Sequence, residues 1–242
     1  MRRLLTTLLL FACVLLFLID VGTSAIAPSS PYPSVTAFNP LRKWLLFDYP
    51  HAVALEDLLI EKEATEPLSF IDSPTIDAFN KSSFWGGVSL SFFAHVTGLP
   101  MVPRPSIDHH LLFEKILQGE LWRLFTPALL HGSLLHLLFN MTWLYVLGRQ
   151  IEERIGGALY LLFVVLTGIF TNVTQYLVSG YAFLGFSGIL LAMAAFIATR
   201  QKIFPKEGFF LEKHLYTFFK VVVFAFASLS LLLFGLVLFK RT

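Results

Sequence analysis

Four stretches of this chain contain no Asp, Glu, Lys or Arg and are long enough to cross a lipid bilayer. They cover residues 124–148, 158–178, 181–199 and 221–239. A spanning helix needs about 20 apolar residues, and a backbone inside hydrocarbon must form its hydrogen bonds within its own segment. The four runs therefore predict transmembrane helices. Composition agrees, since only 14% of the residues are charged, against roughly 25% in soluble domains.

A fifth apolar run, residues 4–19, follows Arg2 and Arg3 near the N-terminus. It is short for a span and also resembles a secretory signal, because small residues at 25–27 (Ala-Ile-Ala) mimic a cleavage site. Pro28 directly after them disfavours cleavage. We therefore predict an uncleaved first span within residues 1–20.

The distribution of charge assigns the two sides of the membrane. Over residues 21–123 there are eleven acidic and seven basic residues. The basic residues that flank the spans fall on one side if the N-terminus is inside; they are Arg2, Arg3, Arg149, Arg154, Arg200, Lys202, Lys206, Lys213 and Lys220. Because cytoplasmic loops are enriched in Lys and Arg, we predict five spans with the N-terminus inside. The chain then divides into a first span, a large extracytoplasmic loop segment over 21–112, and a membrane core over 113–242.

One further stretch bears on this topology. Residues 84–102 are also uncharged but contain three glycines and a proline. We interpret them as a re-entrant or interfacial part of the outer loop. The alternative is a sixth span, which would reverse the side of everything that follows.

Several classes of function are disfavoured by the sequence. A net charge of +2 is too small to indicate a nucleic-acid partner. A single cysteine, Cys13, excludes an internal disulfide and a thiolate metal site. The adjacent pair His109 and His110 lacks a third ligand, so no metal is predicted. A transporter or channel would need charged residues within its spans, and these spans have none.

Polar side chains inside the spans are candidate functional residues, because they are costly in hydrocarbon. His136 and Asn140 are four residues apart, which predicts that they share one helical face. His131, five residues from His136, is expected to point elsewhere and to serve packing. Ser187 lies in the uncharged run 181–199, near the start of the fourth predicted span, and is flanked by Gly185 and Gly188, which leave room for close contact. A serine at a helix N-terminus has unpaired amides beside it that suit an oxyanion.

The order and placement of these motifs resemble the rhomboid family of intramembrane serine proteases. The resemblance runs from about residue 113 to residue 239 and rests on three segments: GELWRLFTPALLHGSLLHLLFNMTWLYVLG (119–148), EERIG (152–156) and LGFSG (184–188). It implies an all-α membrane protein with a rhomboid-like bundle. Ser187 matches the nucleophile, and His136 and Asn140 match the pair that stabilises the oxyanion.

The same resemblance assigns structural roles to other residues. Trp122 and Arg123 match an outer-loop motif that dips into the membrane, with the arginine bracing the loop. Glu153 and Arg154 match a structural pair at the inner end of the second span. The family implies a multi-pass protein of the bacterial inner membrane that acts on transmembrane proteins without a metal or organic cofactor.

The base histidine of the rhomboid family, which belongs to a sixth core span, has no counterpart in this sequence. His214 precedes the fifth predicted span on the inner side. The 13 residues from Ser187 to Arg200 place it roughly 20 Å of helix away. His95, His109 and His110 belong to the outer loop, and nothing in their spacing directs them to Ser187.

Three explanations remain open at the level of sequence. The chain is a truncated form of an active protease, or a pseudoprotease that binds membrane helices without cutting them, or another histidine or a second copy completes the site. We expect weak or no hydrolysis by the chain as given. Without a sixth span we also expect lower thermal stability and self-association through the exposed face of the Ser187 helix.

Overall fold

The structure, a computed structural model, describes residues 3–26, 39–49, 83–98, 104–106, 112–181, 183–215, 217–219 and 221. The helices within these residues are α1 (Leu4–Ile26), α2 (Pro40–Leu45), α3 (Gly87–Thr97), α4 (Glu114–Leu117), α5 (Leu134–Trp143), α6 (Arg149–Ile155), α7 (Gly157–Ser179) and α8 (Ser187–Ile203). Three short 3-10 helices cover Leu121–Leu124, Thr126–Leu129 and Pro205–Glu207. A π-helical turn, Leu144–Gly148, joins α5 to α6. The helical fold class predicted from the sequence is confirmed.

A small parallel sheet was not predicted. It pairs β1 (Ser83–Trp85) with β2 (Arg104–Ser106), with Phe84 opposite Pro105. The α3 helix follows β1, and its 11 residues correspond to about 16 Å, so it is too short to span a membrane. Of the stretch 84–102, residues 99–102 lie outside the described part of the chain.

Two helices among the described residues are long and apolar enough to cross a bilayer. They are Leu4–Ala25 within α1 and Gly157–Ser179, which is α7. Both present large apolar side chains on their surface; Leu18 of α1 is 61% exposed and Phe170 of α7 is 71% exposed. Such surfaces are suited to lipid contact. The predicted span 158–178 coincides with α7, and α1 extends the predicted run 4–19 to Ile26.

The helices observed within the predicted spans 124–148 and 181–199 begin later than the uncharged runs do. The first ten residues of 124–148 form 3-10 helices and a turn, and α5 begins at Leu134, where the Ser133 hydroxyl accepts a hydrogen bond from the His136 amide at 3.2 Å. Capping of this kind marks a helix start that hydropathy does not show. The helix α8 begins only at Ser187, after Gly185 with a φ of 117°. The predicted span 221–239 lies outside the described residues after 221.

The chain divides into two compact units. The first unit comprises residues 1–14, 131–171 and 185–242. Within its described part, α8 packs against α5 and against the π-helical turn. Gly188 permits a close approach to α7, since a methyl group on its Cα would lie 2.8 Å from the Cβ of Thr171. This unit therefore holds the helix that begins at Ser187 against its neighbours through small residues.

The second unit comprises residues 15–130 and 172–184. Its core contains the buried aromatic residues Phe47, Trp85, Tyr176 and Phe183. The Phe47 and Tyr176 rings stack with centroids 4.5 Å apart, and the Trp85 indole donates to the Tyr176 carbonyl at 2.9 Å. This core attaches part of the outer segment to the end of α7.

A buried polar cluster in the second unit joins α1 to α2. Asp20, only 3% exposed, accepts two bonds from Arg42, at 2.9 Å from Nε and 2.8 Å from Nη2. Asn39 donates to Asp20 Oδ1 at 2.8 Å and accepts from the Arg42 amide at 2.9 Å, which caps α2. Each charge in the cluster is paired, as burial requires.

Candidate active site

Gly185 brings the two polar residues of α5 together with the segment that precedes Ser187. A methyl group on its Cα would lie 2.6 Å from Cε1 and 2.7 Å from Nε2 of His136. The same methyl group would lie 3.6 Å from Nδ2 of Asn140. Since no side chain fits there, glycine is required both for space and for its positive φ. His136, Asn140 and Gly185 therefore form one contiguous site.

Ser187 lies two residues beyond Gly185 as the first residue of α8. Its side chain is exposed, and no side chain caps the start of this helix among the described residues. The first amides of a helix have no partner within it and carry the positive end of the helix dipole. The hydroxyl is therefore accessible and lies beside amide donors that an anion could use.

Asn140 is the most unusual polar residue of this site. It is fully buried, and neither its Nδ2 nor its Oδ1 has a hydrogen-bond partner among the residues that the structure describes. An unsatisfied buried amide costs about 1–3 kcal/mol. Most buried polar groups in native proteins are paired, so an exception needs an explanation. A ligand atom bound beside Gly185 and His136 would supply one.

His131 lies closer to His136 than the sequence predicted. The centroids of the two rings are 5.2 Å apart, the ring planes are inclined at 63°, and His131 is 1% exposed. The expectation that His131 points elsewhere is wrong, because it assumed a helix through residue 131, whereas α5 starts at Leu134. His131 therefore packs edge-on against His136 and restricts the orientation of its ring.

Trp122 and Arg123, the predicted outer-loop motif, belong to the second unit. Arg123 is buried and donates to the carbonyl of Leu46 and to the carboxylate of Glu120. The Trp122 indole donates to the carbonyl of Trp44 at 3.0 Å. These contacts fix the 3-10 helix Leu121–Leu124 to the last turn of α2 and to Leu46, which follows it.

Glu152 of α6 is a buried carboxylate that the sequence motifs did not single out. Glu152 accepts bonds from the amides of Leu5 and Thr6, each at 2.9 Å, and from the Thr6 hydroxyl at 2.7 Å. It thus caps the N-terminus of α1. Glu153 instead forms an ion pair with Arg3. Arg154 donates to backbone carbonyls, among them that of Gln150 at 2.9 Å.

The structure provides no evident metal centre in the part of the chain that it describes. No group of three or more His, Cys, Asp or Glu residues there could hold a metal ion. The groups that the site residues themselves present are a hydroxyl, an imidazole, an amide and backbone donors.

The exposed apolar surfaces of α1 and α7 support an integral membrane protein, as does the family comparison. A family model described as Rhomboid domain matches residues 118–238, half of the chain, and includes every residue of this site. The chain belongs to the rhomboid family. Members of this family are in general intramembrane serine proteases that act on transmembrane substrates in the lipid bilayer.

Proposed function

We propose that this protein has the site of an intramembrane serine endopeptidase, with Ser187 as nucleophile and with His136 and Asn140 stabilising the oxyanion. The observation that carries the proposal is the unsatisfied amide of Asn140, buried beside Gly185 and His136. An amide kept unpaired at a cost to folding is explained if its partner is the substrate.

The proposed chemistry begins at the Ser187 hydroxyl. Its Oγ attacks the carbonyl carbon of a peptide bond in or near the transmembrane helix of a substrate, and the carbonyl oxygen becomes an oxyanion. The Ser187 amide, Asn140 Nδ2 and the His136 ring then donate to that oxygen. The proton that the Ser187 hydroxyl gives up to a base passes to the departing nitrogen, so that collapse of the intermediate expels the amine and leaves an acyl-enzyme, which water hydrolyses to a carboxylic acid and the free Ser187 hydroxyl.

A base for the Ser187 proton is the element that this sequence does not supply. The only histidine after Ser187 is His214, and among the described residues no histidine hydrogen-bonds to the Ser187 hydroxyl. A serine hydroxyl is a weak nucleophile until a base takes its proton. We therefore propose that the 242-residue polypeptide hydrolyses substrates slowly or not at all.

The unassisted hydroxyl also favours a second candidate function. A rhomboid pseudoprotease would use the same bundle to bind membrane-protein helices without cleaving them. In that case the His136–Asn140 site would be retained without turnover, and binding of single-span proteins would be independent of Ser187.

Labelling with a fluorophosphonate probe, in detergent and with or without added imidazole, distinguishes the two functions. If the oxyanion site is intact and only the base is missing, free imidazole should accelerate labelling by about tenfold or more. Ser187→Ala should abolish it. Ser179→Ala, which removes an exposed hydroxyl at the end of α7, should leave it unchanged.

Each other outcome has a clear meaning. Rapid labelling without imidazole would refute the proposed slow turnover. Labelling that persists in Ser187→Ala would refute the assignment of Ser187 as the nucleophile. Absence of labelling under both conditions, together with capture of single-span proteins that Ser187→Ala does not alter, would establish the pseudoprotease.

A further inference from the structure

A cationic cavity in the first unit is lined by none of the residues assigned to the Ser187 site and has no part in the proposed chemistry. Its volume is about 400 Å³. Its lining includes Arg3, which precedes α1, Tyr145 and Val146 of the π-helical turn, and Arg149, Glu153 and Arg154 of α6. These residues flank spans at the membrane side where α1 begins, which the charge distribution predicts to be the inner one.

The charges around this cavity do not cancel. Glu153 is paired with Arg3. Arg154 donates to backbone carbonyls, which leave its charge uncompensated. Arg149 has no carboxylate partner among the described residues, and its guanidinium lies 4.3 Å from the centroid of the Tyr145 ring. The cavity therefore has a net positive charge of two.

Stacking on Tyr145 makes Arg149 suited to binding an anion. Contact with an aromatic face restricts the guanidinium without consuming its N–H donors. A guanidinium held in this way can donate two parallel bonds to a phosphate. Less conformational freedom is then lost on binding than for a mobile surface lysine.

An apolar wall adjoins the cationic residues. Tyr145 is 51% exposed and Val146 is 44% exposed, and both lie in the helical segment that the sequence predicts to be in the membrane. An anion with an acyl chain would place the chain along this wall and its charge on Arg149. A free phosphate ion would use only the charge.

We propose that this cavity binds the phosphate of an anionic phospholipid headgroup, with Arg149 as its principal donor. Basic pockets beside spanning helices are suited to such lipids. The site would bind phosphatidylglycerol in preference to the zwitterionic phosphatidylcholine, whose ammonium group the excess positive charge repels.

Native mass spectrometry of the full chain in detergent, with phosphatidylglycerol and phosphatidylcholine in equal amounts, tests the proposal. The wild type should retain phosphatidylglycerol selectively. Arg149→Gln should weaken its binding by about fivefold, the effect of about one charge near a membrane surface. Arg149→Lys should lose less, because it keeps the charge. Lys206→Gln removes an exposed cation of the same unit outside the cavity and should change nothing.

Three results would overturn the proposal. Equal loss in Arg149→Gln and Lys206→Gln would show diffuse attraction rather than a site. Equal retention of the two lipids would remove the preference for an anionic headgroup. Displacement of phosphatidylglycerol by millimolar inorganic phosphate would assign the cavity to a free anion. The melting temperature of each variant in lipid-free detergent shows whether it is folded. If Arg149→Gln is misfolded, the loss of phosphatidylglycerol binding in Arg149→Lys is compared with that in Lys206→Gln instead.

Discussion

Asn140 and Asn172 are both buried asparagines on helices with long apolar runs, and they are satisfied in opposite ways. Asn172, in the second unit, donates to the carbonyls of Leu124 at 3.0 Å and Phe125 at 3.3 Å. Asn140, in the first unit, has no partner among the residues that the structure describes. The same side chain thus stabilises the fold in one unit and is left unpaired in the other.

The paired state is general for the buried polar residues of the second unit discussed above. Asp20 has Arg42 and Asn39 as partners, and Arg123 has Glu120 and a carbonyl. The unit that contains Ser187 instead keeps unpaired donors beside a glycine. Pairing stabilises the fold, and the proposed oxyanion site uses a donor that is left unpaired. Substitutions at the paired and unpaired residues separate these two effects.

The largest effect on stability is expected from breaking the Asp20–Arg42 pair. Arg42→Ala leaves the carboxylate of Asp20, 5% exposed at its side chain, buried without its cation. Removal of one partner of a buried pair costs about 3–5 kcal/mol, which corresponds to a fall in melting temperature of roughly 6–20 °C for a chain of this size. Thermal melting in detergent micelles measures this fall.

The neighbouring Lys43 provides a control for Arg42. Lys43→Ala removes a cation from the same helix and should change the melting temperature by much less. Asp20→Asn introduced together with Arg42→Ala should recover part of the loss, because no buried charge remains. Equal losses in Arg42→Ala and Lys43→Ala would show that the pair does not stabilise the second unit.

Asn140→Ala should affect the site rather than the fold. Loss of one oxyanion donor typically reduces rates by about 10²–10³, so the rate of Ser187 labelling in the presence of imidazole should fall by that factor. The melting temperature should stay level or rise, because the variant loses no hydrogen bond and no longer buries an unpaired amide. A large fall in melting temperature with an unchanged labelling rate would contradict the oxyanion role.

Asn172→Ala should show the reverse pattern. It removes the amide that donates to two part-buried carbonyls, and an unpaired acceptor costs up to about 1–3 kcal/mol. Melting in detergent should detect this loss. The labelling rate of the folded protein should stay within about threefold of that of the wild type, since about 0.5 kcal/mol or less of indirect effect is expected at a residue outside the site. Similar profiles for the two asparagine variants would remove the distinction between them.

The sequence pointed to the residues of the proposed site but not to the starts of the helices that hold them. The recognition of His136, Asn140, Gly185 and Ser187 rested on motif order, and the structure brings the first three into one contiguous site. Hydropathy could not show that α5 begins at Leu134, because 3-10 turns and helices are equally uncharged. The wrong expectation for His131 followed from that boundary.

Contacts between residues distant in sequence were outside the reach of any local pattern. Glu152 caps α1 through Leu5 and Thr6, which are 147 and 146 positions away, and nothing in EERIG distinguishes its two glutamates. Arg42 and Asp20 were both visible as charges, yet only the structure shows that they pair. Hydropathy and charge therefore predict which segments span the membrane and on which side their ends lie, whereas long-range hydrogen bonds depend on how the segments pack.

The smallest expected effect concerns Asp48, where pairing in the second unit does not compensate fully for burial. Burial raises the pKa of the Asp48 carboxyl above its usual value, although the Tyr176 hydroxyl donates to it at 2.8 Å and Lys115 lies nearby; Glu114 raises the pKa further. A raised pKa in the folded state means that the folded chain binds the proton more tightly than the unfolded chain. The contribution to stability is therefore complete below about pH 4, the unfolded pKa, and is lost as pH rises through the folded pKa.

Asp48→Asn isolates this dependence on pH. The amide keeps an oxygen that can accept from Tyr176 but cannot ionise, so the variant should match the wild type near pH 4 and become relatively more stable as the pH rises. The difference in melting temperature between the two proteins, followed from pH 4 to pH 8, removes the contribution of the other carboxylates. A constant difference would show that Asp48 does not titrate with folding. A difference of opposite sign would mean that the hydrogen bonds of Asp48 outweigh the cost of its burial. Asp48 would then be fully compensated, unlike the unpaired amide of Asn140.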